Sequence, residues 1–430
     1  MTSKPISSIK PSTRQNLSWL DRLFQKQLLL KLAQLEESEL IFEDAVSSVK
    51  LGQPASQADQ QLNAKVLIHD PDFYPRVALG GSVGAGEAYM DGLWDCDDLT
   101  TLIRILVRNR NVLDEMESGL ARFSLPALKW LHHRNKNTKK GSRKNIAAHY
   151  DLGNEFFELF LDENMMYSSA AYRDNEHTLE HASDHKLLRI CQKLQLCPDD
   201  HVLEIGTGWG GFAIFAAQNY GCRVTTTTIS KEQYQLAQSR IKQAGLEDKI
   251  ELLLEDYRNL DGQFDKLVSI EMIEAIGHQF INTYFRTCSE RLRPNGMMLL
   301  QAITIEDQRY EQAIKSIDFI KKFIFPGSFI PCISAITKSV AESTDMRLFH
   351  LEDIGLSYAR TLHEWRQRFE SKLELVRAQG YPERFIRMWR FYLCYCEGGF
   401  LERSISDIQV LFTKPRNQRQ EILPELGHQL

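Results

Sequence analysis

The chain has no apolar run long enough to cross a bilayer as a helix, and its N-terminus, MTSKPISSIKPSTRQN, lacks the apolar core of a signal peptide. Its eight cysteines form no C-x-x-C pair, and only Cys394 and Cys396 stand one residue apart. That scatter speaks against a disulfide frame or a zinc site and suits reduced thiols inside a cell. A net charge of −5 points to no partner class by itself, and no nucleic acid is expected. Acids are missing from one stretch, HHRNKNTKKGSRK (His132 to Lys144), which holds six Lys/Arg. Such a run reads as a solvated linker or a contact for anionic phosphates and lipid headgroups.

The stretch VLEIGTGWGG, Val202 to Gly211, stands out against these absences. It reads as a buried strand, a glycine turn and the start of a helix. Gly206, Gly208 and Gly210 allow the tight bend and the close approach of a ligand. The helix behind offers unpaired N–H groups, and Glu204 stands at the strand end, where open α/β sheets bind ligands. A dinucleotide site wants an acid after the second strand, and RVTTTTIS (Arg223 to Ser230) has none. NAD is therefore disfavoured. S-adenosylmethionine, which needs a neutral turn and acids such as Glu204 or the Glu255–Asp256 pair, is favoured.

Residues 1–16 read as disordered. LSWLDRLFQKQLLLKLA carries Leu17, Leu20, Phe24, Leu28 and Leu32 at helical spacing, an amphipathic helix whose stripe reads first as core packing, with Arg22, Lys26 and Lys31 leaving a membrane-surface role open. ELIFED and KVLIHD are strand-like and suggest a small mixed domain. GGSVGAGEAYMDGLWDCDDL (Gly80 to Leu99) reads as glycine-rich and then helical; within it GEAYMDG lacks the Lys–Ser/Thr of a phosphate loop and reads as a packed turn. From about His149 to Glu306, strands are expected near Val202–Ile205, Arg223–Ile229, Ile250–Leu254, Leu267–Ile270 and Met297–Ile303, with helices such as Glu232–Ala244 between them. This is the pattern of an α/β, doubly wound, mostly parallel sheet. Helical, aromatic-rich additions follow from Arg309, and the tail from Lys414 reads as polar and loose.

Several ordered motifs, among them HYDLGNEFFELFLDENMMYSSA, VLEIGTGWGGFA, TTISKEQ, EDYRNL, SIEMIEAIGHQF, KFIFPGS and FYLCYCEGGF, resemble the cyclopropane-fatty-acyl-phospholipid synthases over residues 40 to 412. The resemblance implies a class I methyltransferase-like fold at 147–413, after a lipid-associating domain at 17–130 and a basic linker at 131–146. It implies S-adenosylmethionine contacts from Tyr167, Ser168, Glu204, Gly206, Gly208, Thr228, Ile229, Gln233, Asp256 and Tyr257. It also implies transfer of a one-carbon unit to the cis double bond of a phospholipid acyl chain, through a carbocation that loses a proton as a ring closes. Such a site must be dry, walled by negative or π-rich groups, and supplied with a base.

The resemblance implies a bicarbonate ion as that base, held by Ser169, Glu274, Gln301, the Ile303 backbone and Tyr358. Ser169 stands where many members have Cys, and Gln301 where many have His. Without bicarbonate, Glu274 is the substitute base. Cys396 aligns with a cysteine near the acyl chain and reads as packing. Trp365, Phe369, Trp389, Phe391, Tyr392, Phe400 and Phe412 read as core or tunnel wall. The same motifs leave open a methyl- or methylene-branched product, a small-molecule O- or N-methyltransferase, and a lipid-binding protein without activity. A peripheral place on the inner membrane face and a homodimer complete the expectations.

Overall fold

The structure is a computed structural model describing residues 17–44, 47–57, 61–118, 137, 141, 152–173 and 178–422. The disordered segment expected at 1–16, His149 and nearly all of the basic run lie outside the described residues. The chain forms two compact units, and the first is discontinuous: Met1–Arg134, Ser316–Pro326 and Leu362–Ser404. The last two segments fall within the 147–413 region that the resemblance assigns to the methyltransferase domain. They carry the aromatic helices, which pack on N-terminal elements of their own unit.

That unit holds a four-stranded mixed sheet in the order β2-β1-β3-β4, from β1 (Ser38–Glu43), β2 (Ser48–Leu51), β3 (Leu62–Ile68) and β4 (Trp94–Cys96). Of the packed turn expected at GEAYMDG, Gly86–Met90 instead close the helix Phe73–Met90, which bends at Gly81, where φ is +57°. Its glycines serve close packing. A Cβ on Gly84 would lie 2.2 Å from the Arg76 carbonyl, and one on Gly86 would lie 2.4 Å from the Phe319 ring. The helix Glu383–Leu401 adds stacked aromatics, Tyr381 on Phe385 at 4.5 Å and Phe385 on Trp389 at 5.8 Å. Trp365, Phe369, Trp389, Phe391, Tyr392 and Phe400 are all buried in this unit.

The N-terminal helix Trp19–Leu32 opens with a capping box between Ser18 and Asp21. Leu28 and Leu32 are buried, but Leu20 from the expected packed stripe is exposed. Trp19, Leu23 and Leu30 are exposed as well, beside exposed Arg22 and Lys26.

The second unit (Asn135–Lys315, Gly327–Thr361 and Ile405–Leu430) is built on a seven-stranded sheet. Its strands are β5 (His201–Ile205), β6 (Arg223–Thr227), β7 (Ile250–Leu253), β8 (Phe264–Ile270), β9 (Leu292–Ile305), β10 (Arg347–Asp353) and β11 (Ile405–Thr413), in the order β10-β11-β9-β8-β5-β6-β7. All pairs from β7 to β9 are parallel, while β11 runs antiparallel to both β9 and β10. From β5 the chain winds outward through β6 and β7, then returns to β8 on the other side. The crevice beyond the ends of β5 and β8 is thus the topological switch point, where such sheets bind ligands. The tail is anchored at its start: Lys414 is buried against Ser289 and Asp345, and Asn417 Nδ2 donates to the Asn295 carbonyl at 2.6 Å.

Candidate active site

β5 ends at Glu204–Ile205 because its apolar run meets three glycines with positive φ: Gly206 (+103°), Gly208 (+53°) and Gly210 (+87°). The N–H groups of Gly206 and Thr207 both donate to the Thr227 carbonyl, at 3.1 and 3.0 Å, which fixes the bend against β6. A Cβ on Gly208 would meet nothing within 4 Å, so the bend faces open space a ligand can enter. Over the bend lies the segment after Asn154. Asn154 accepts from Trp209 Nε1 at 2.7 Å, Phe157 packs on Trp209 at 5.0 Å, and a Cβ on Gly211 would run into Met166. Arg240 ties the two pieces by donating to the Trp209 and Asn164 carbonyls.

The expected cofactor residues border this bend in different ways. Glu204 is buried and accepts from Thr226 Oγ1 at 2.6 Å; burial pushes its carboxyl up to about 8. Thr228 donates to Gln233 Oε1 at 2.9 Å, and Ile229 follows beside it, half-buried. Tyr167 packs on Phe157, while Ser168 Oγ accepts from the buried Lys186 ammonium at 2.8 Å. Asp256 is committed elsewhere, with both oxygens paired to Arg258 at 2.7 Å. Tyr257 stands edge-on to Tyr284 at 5.6 Å, within the core beneath the sheet.

The second half of the site forms where β8 ends. Glu271 adopts a left-handed backbone, φ +49°, with its N–H bonded to the Gln301 carbonyl at 2.8 Å. That conformation costs a non-glycine residue roughly 1–2 kcal/mol, so the surroundings must hold it. They do so through its carboxylate. Oε1 accepts from the Ser169 backbone N–H at 2.7 Å and from Gln301 Nε2 at 2.8 Å; Oε2 accepts from the Tyr358 hydroxyl at 2.7 Å. The Gln301 amide is oriented in turn, because its Oε1 accepts from Gln409 Nε2 and Gln409 Oε1 accepts from Lys193.

Two further acids face this nest. Glu274 Oε1 accepts from the Ile303 N–H at 2.6 Å, and Asp407 Oδ2 accepts from Gln301 Nε2 at 2.9 Å. The remaining oxygens, Glu274 Oε2 and Asp407 Oδ1, are buried without a hydrogen-bond partner among the described residues. Burial, then the Glu271 charge, raises Glu274 to about 8; burial and the charges of Glu271 and Glu274 push Asp407 well above the carboxylate range. Glu271 is raised by burial too, against the pull of its donors and Lys186. Lys186 is itself lowered to about 8 by burial, opposed by Glu271, Asp162, Asp407 and Glu204. Three donors converge on Glu271 and favour its charged form, whereas burial and the neighbouring acids favour the protonated forms of Glu274 and Asp407.

Ser169, Gln301 and Tyr358, expected to hold bicarbonate, do converge, but on Glu271. The Ile303 N–H is taken by Glu274, and the Ser169 hydroxyl donates to the Ala170 carbonyl. A free bicarbonate does not fit: its expected donors are occupied, and it would be one more anion among buried acids. Sequence reasoning missed Glu271, Asp407 and Lys186. The signal for Glu271 was present, as an acid at the carboxyl end of a central strand, three residues before Glu274. Cys396 belongs to the first unit, where burial pushes its thiol well above the ordinary range and beyond use as a nucleophile. Among the described residues no group of His, Cys, Asp and Glu forms a metal site.

A switch-point glycine bend with no acid after β6 suits S-adenosylmethionine over a dinucleotide, and the family and solved structures that the chain resembles make it a class I S-adenosylmethionine-dependent methyltransferase. The bend that a Cβ would fill and the acid before it fit that cofactor, which supplies an electrophilic methyl carbon when bound. The model of the mycolic acid cyclopropane synthetase family matches residues 137–410, and the chain belongs to that family. It is 38% identical over 353 residues to the cyclopropane-fatty-acyl-phospholipid synthase of Escherichia coli (strain K12), covering 82% of this chain and 88% of that protein. It is 36% identical over 345 residues to the tuberculostearic acid methyltransferase UfaA1 of Mycobacterium tuberculosis, covering 78% and 80%. The solved mycolic acid cyclopropane synthase CmaA1, complexed with SAH and CTAB, superposes with a TM-score of 0.60 at 27% identity, covering 63% of this chain and 98% of that one.

Proposed function

We propose that the protein transfers a one-carbon unit from S-adenosylmethionine to the cis double bond of unsaturated phospholipid acyl chains, forming cyclopropane fatty acids. The observation that carries this reading is the nest of Glu271, Glu274 and Asp407 at the switch point, with Asp407 fully buried and the two glutamates half-buried beside it. A carbocation needs negative charge without free water, and the nest provides both. Burial of Ser169, Gln301 and Tyr358 keeps water from the reacting carbon, and a carboxylate is at hand for the departing proton. The names of the relatives support an acyl substrate.

A second reading, a methyl- or methylene-branched chain, is favoured by Gln301 and Ser169, which alter the base's surroundings, and by the likeness to UfaA1. Purified protein with S-adenosylmethionine and unsaturated phospholipid vesicles should yield acyl chains heavier by one CH₂. Proton NMR then separates the readings, since only a cyclopropane gives the strongly upfield ring CH₂. Absence of any such product, with cofactor binding established by calorimetry, defeats both. Among the described residues no helix is long and apolar enough to cross a membrane. The exposed Trp19, Leu23 and Leu30, flanked by Arg22 and Lys26, suit a helix lying on an anionic bilayer.

A further inference from the structure

The unexplained feature of the site is a glutamate held in a backbone conformation that disfavours it, with its carboxylate saturated by donors expected to serve another ion. Three donors from three parts of the chain meet on Glu271: the Ser169 N–H, the Gln301 amide and the Tyr358 hydroxyl. Their sequence separations of 102, 30 and 87 residues show that the tertiary fold, not local geometry, builds this nest. The other acids are placed differently. Glu274 and Asp407 each have one oxygen without a partner, which suits a protonated carboxyl and not an ionised one.

We propose that Glu271 is a resident base, its carboxylate filling the place of the bicarbonate ion that the sequence resemblance implied, so that the enzyme works without that ion. This inference rests on the acyl-chain reading above. As the alkene π pair forms its bond to the methyl carbon, the C–S bond of the sulfonium breaks, its electron pair leaves with neutral S-adenosylhomocysteine, and positive charge remains on the neighbouring chain carbon. Glu271 removes a proton from the added carbon. The freed C–H pair forms the second ring bond to the cationic carbon, and the carboxylate becomes a carboxylic acid. Cation and carboxylate are both neutralised, with no outside oxidant or co-reactant. Gln301 and Tyr358 act as positioning residues that aim the carboxylate and hold its charge.

The test uses the full chain with Glu271→Gln, which keeps the shape and removes the base, and Glu271→Gly, which suits the left-handed backbone and empties the nest. The first readout needs no acyl substrate: ¹³C-bicarbonate is titrated into each protein and followed by ¹³C NMR. Wild type should show no saturable binding and Glu271→Gly should show it; saturable binding to wild type overturns the proposal. The second readout is turnover on unsaturated phospholipid vesicles in CO₂-free buffer. Added bicarbonate should change wild-type kcat by less than about twofold, Glu271→Gln should lose at least about 100-fold, and Glu271→Gly should recover in part with bicarbonate or formate. A wild-type rate that rises tenfold with bicarbonate, or a Glu271→Gln variant that keeps its kcat, overturns it. Should Glu271→Gln not fold, wild type and Glu271→Gly still decide the matter. A wild type that binds S-adenosylmethionine yet alters no acyl chain defeats the acyl-chain reading, while the ¹³C titration separately judges which group occupies the nest.

Discussion

Both units bury charge, and they treat it in opposite ways. In the first, Glu397 is met by His363 at 3.1 Å, by Arg366 at 3.1 Å and by the Thr100 hydroxyl. Burial works against its charge, yet His363 and Arg366 hold it below the ordinary carboxylate range. Arg387 is equally well satisfied, bonded to the Tyr89 and Trp94 carbonyls and paired with Asp95 at 2.7 Å. In the second unit, Glu204, Glu271 and Asp407 face one buried ammonium, Lys186, Glu274 adds a further acid beside Glu271, and all four acids are raised. Compensated charge serves to hold segments together; uncompensated charge marks a place where the protein gives up stability for chemistry.

The contrast can be broken most forcefully at Glu397. Replacing it with Ala strands Arg366 in the interior, and the whole chain should lose about 3 kcal/mol, read as a lower denaturant midpoint. A midpoint unchanged by Glu397→Ala would show that the two units do not differ as described. Next comes the glycine bend. Gly208→Ala puts a methyl group at φ +53° into the open space, and affinity for S-adenosylmethionine by calorimetry should fall at least about tenfold.

The third measurement follows pH. Glu204 and Glu274 sit at about 8 in the fold against 4.5 ordinarily, so the native state keeps protons that the unfolded chain has shed. Their contribution to stability is full below about pH 4.5 and is lost as pH rises through about 8. Lys186, lowered to about 8 from 10.5, acts above that window and in the opposite sense. The melting temperature should therefore drop by several degrees between pH 5.5 and 8.5, on the order expected for a few kcal/mol, and Glu274→Gln should flatten the slope. A slope unaltered in that variant would remove Glu274 from the raised group. The smallest effect is expected on the surface: Leu23→Glu with Leu30→Glu should weaken co-sedimentation with anionic vesicles several-fold and leave cofactor affinity as it was.

How far the sequence could be read follows from how local each signal is. Strands β5 to β9 were legible because runs such as VLEI and MMLLQAI are apolar or β-branched and end at turn residues. β10 and β11 were not. The first alternates weakly along an edge, with mixed exposure, and the second sits directly after a long helix. The end of the helix Phe73–Met90, from Gly86, read as a turn because glycine's usual role is conformational, and close contact with Phe319 leaves no local trace. In the site, Ser169, Gln301 and Tyr358 were found and their convergence was expected. The group they converge on was not. Nothing beside Glu271 says that its carboxyl is buried, since the walls come from Ser169, Gln301, Tyr358 and Asp407, far away along the chain. Lys186 escaped for a similar reason, since nothing beside it in the sequence says that it turns inward from the helix Leu179–Leu194.

The positive φ at Glu271 has an evolutionary consequence. Glycine is the residue that conformation accepts most readily, and every glutamate codon differs from a glycine codon by its middle base alone. On the resident-base proposal, a single transition at this position would exchange a built-in proton acceptor for a residue without a side chain and leave its three donors to an ion from solution. Dependence on ambient carbon dioxide would become a trait that a lineage can gain or shed in one mutational step.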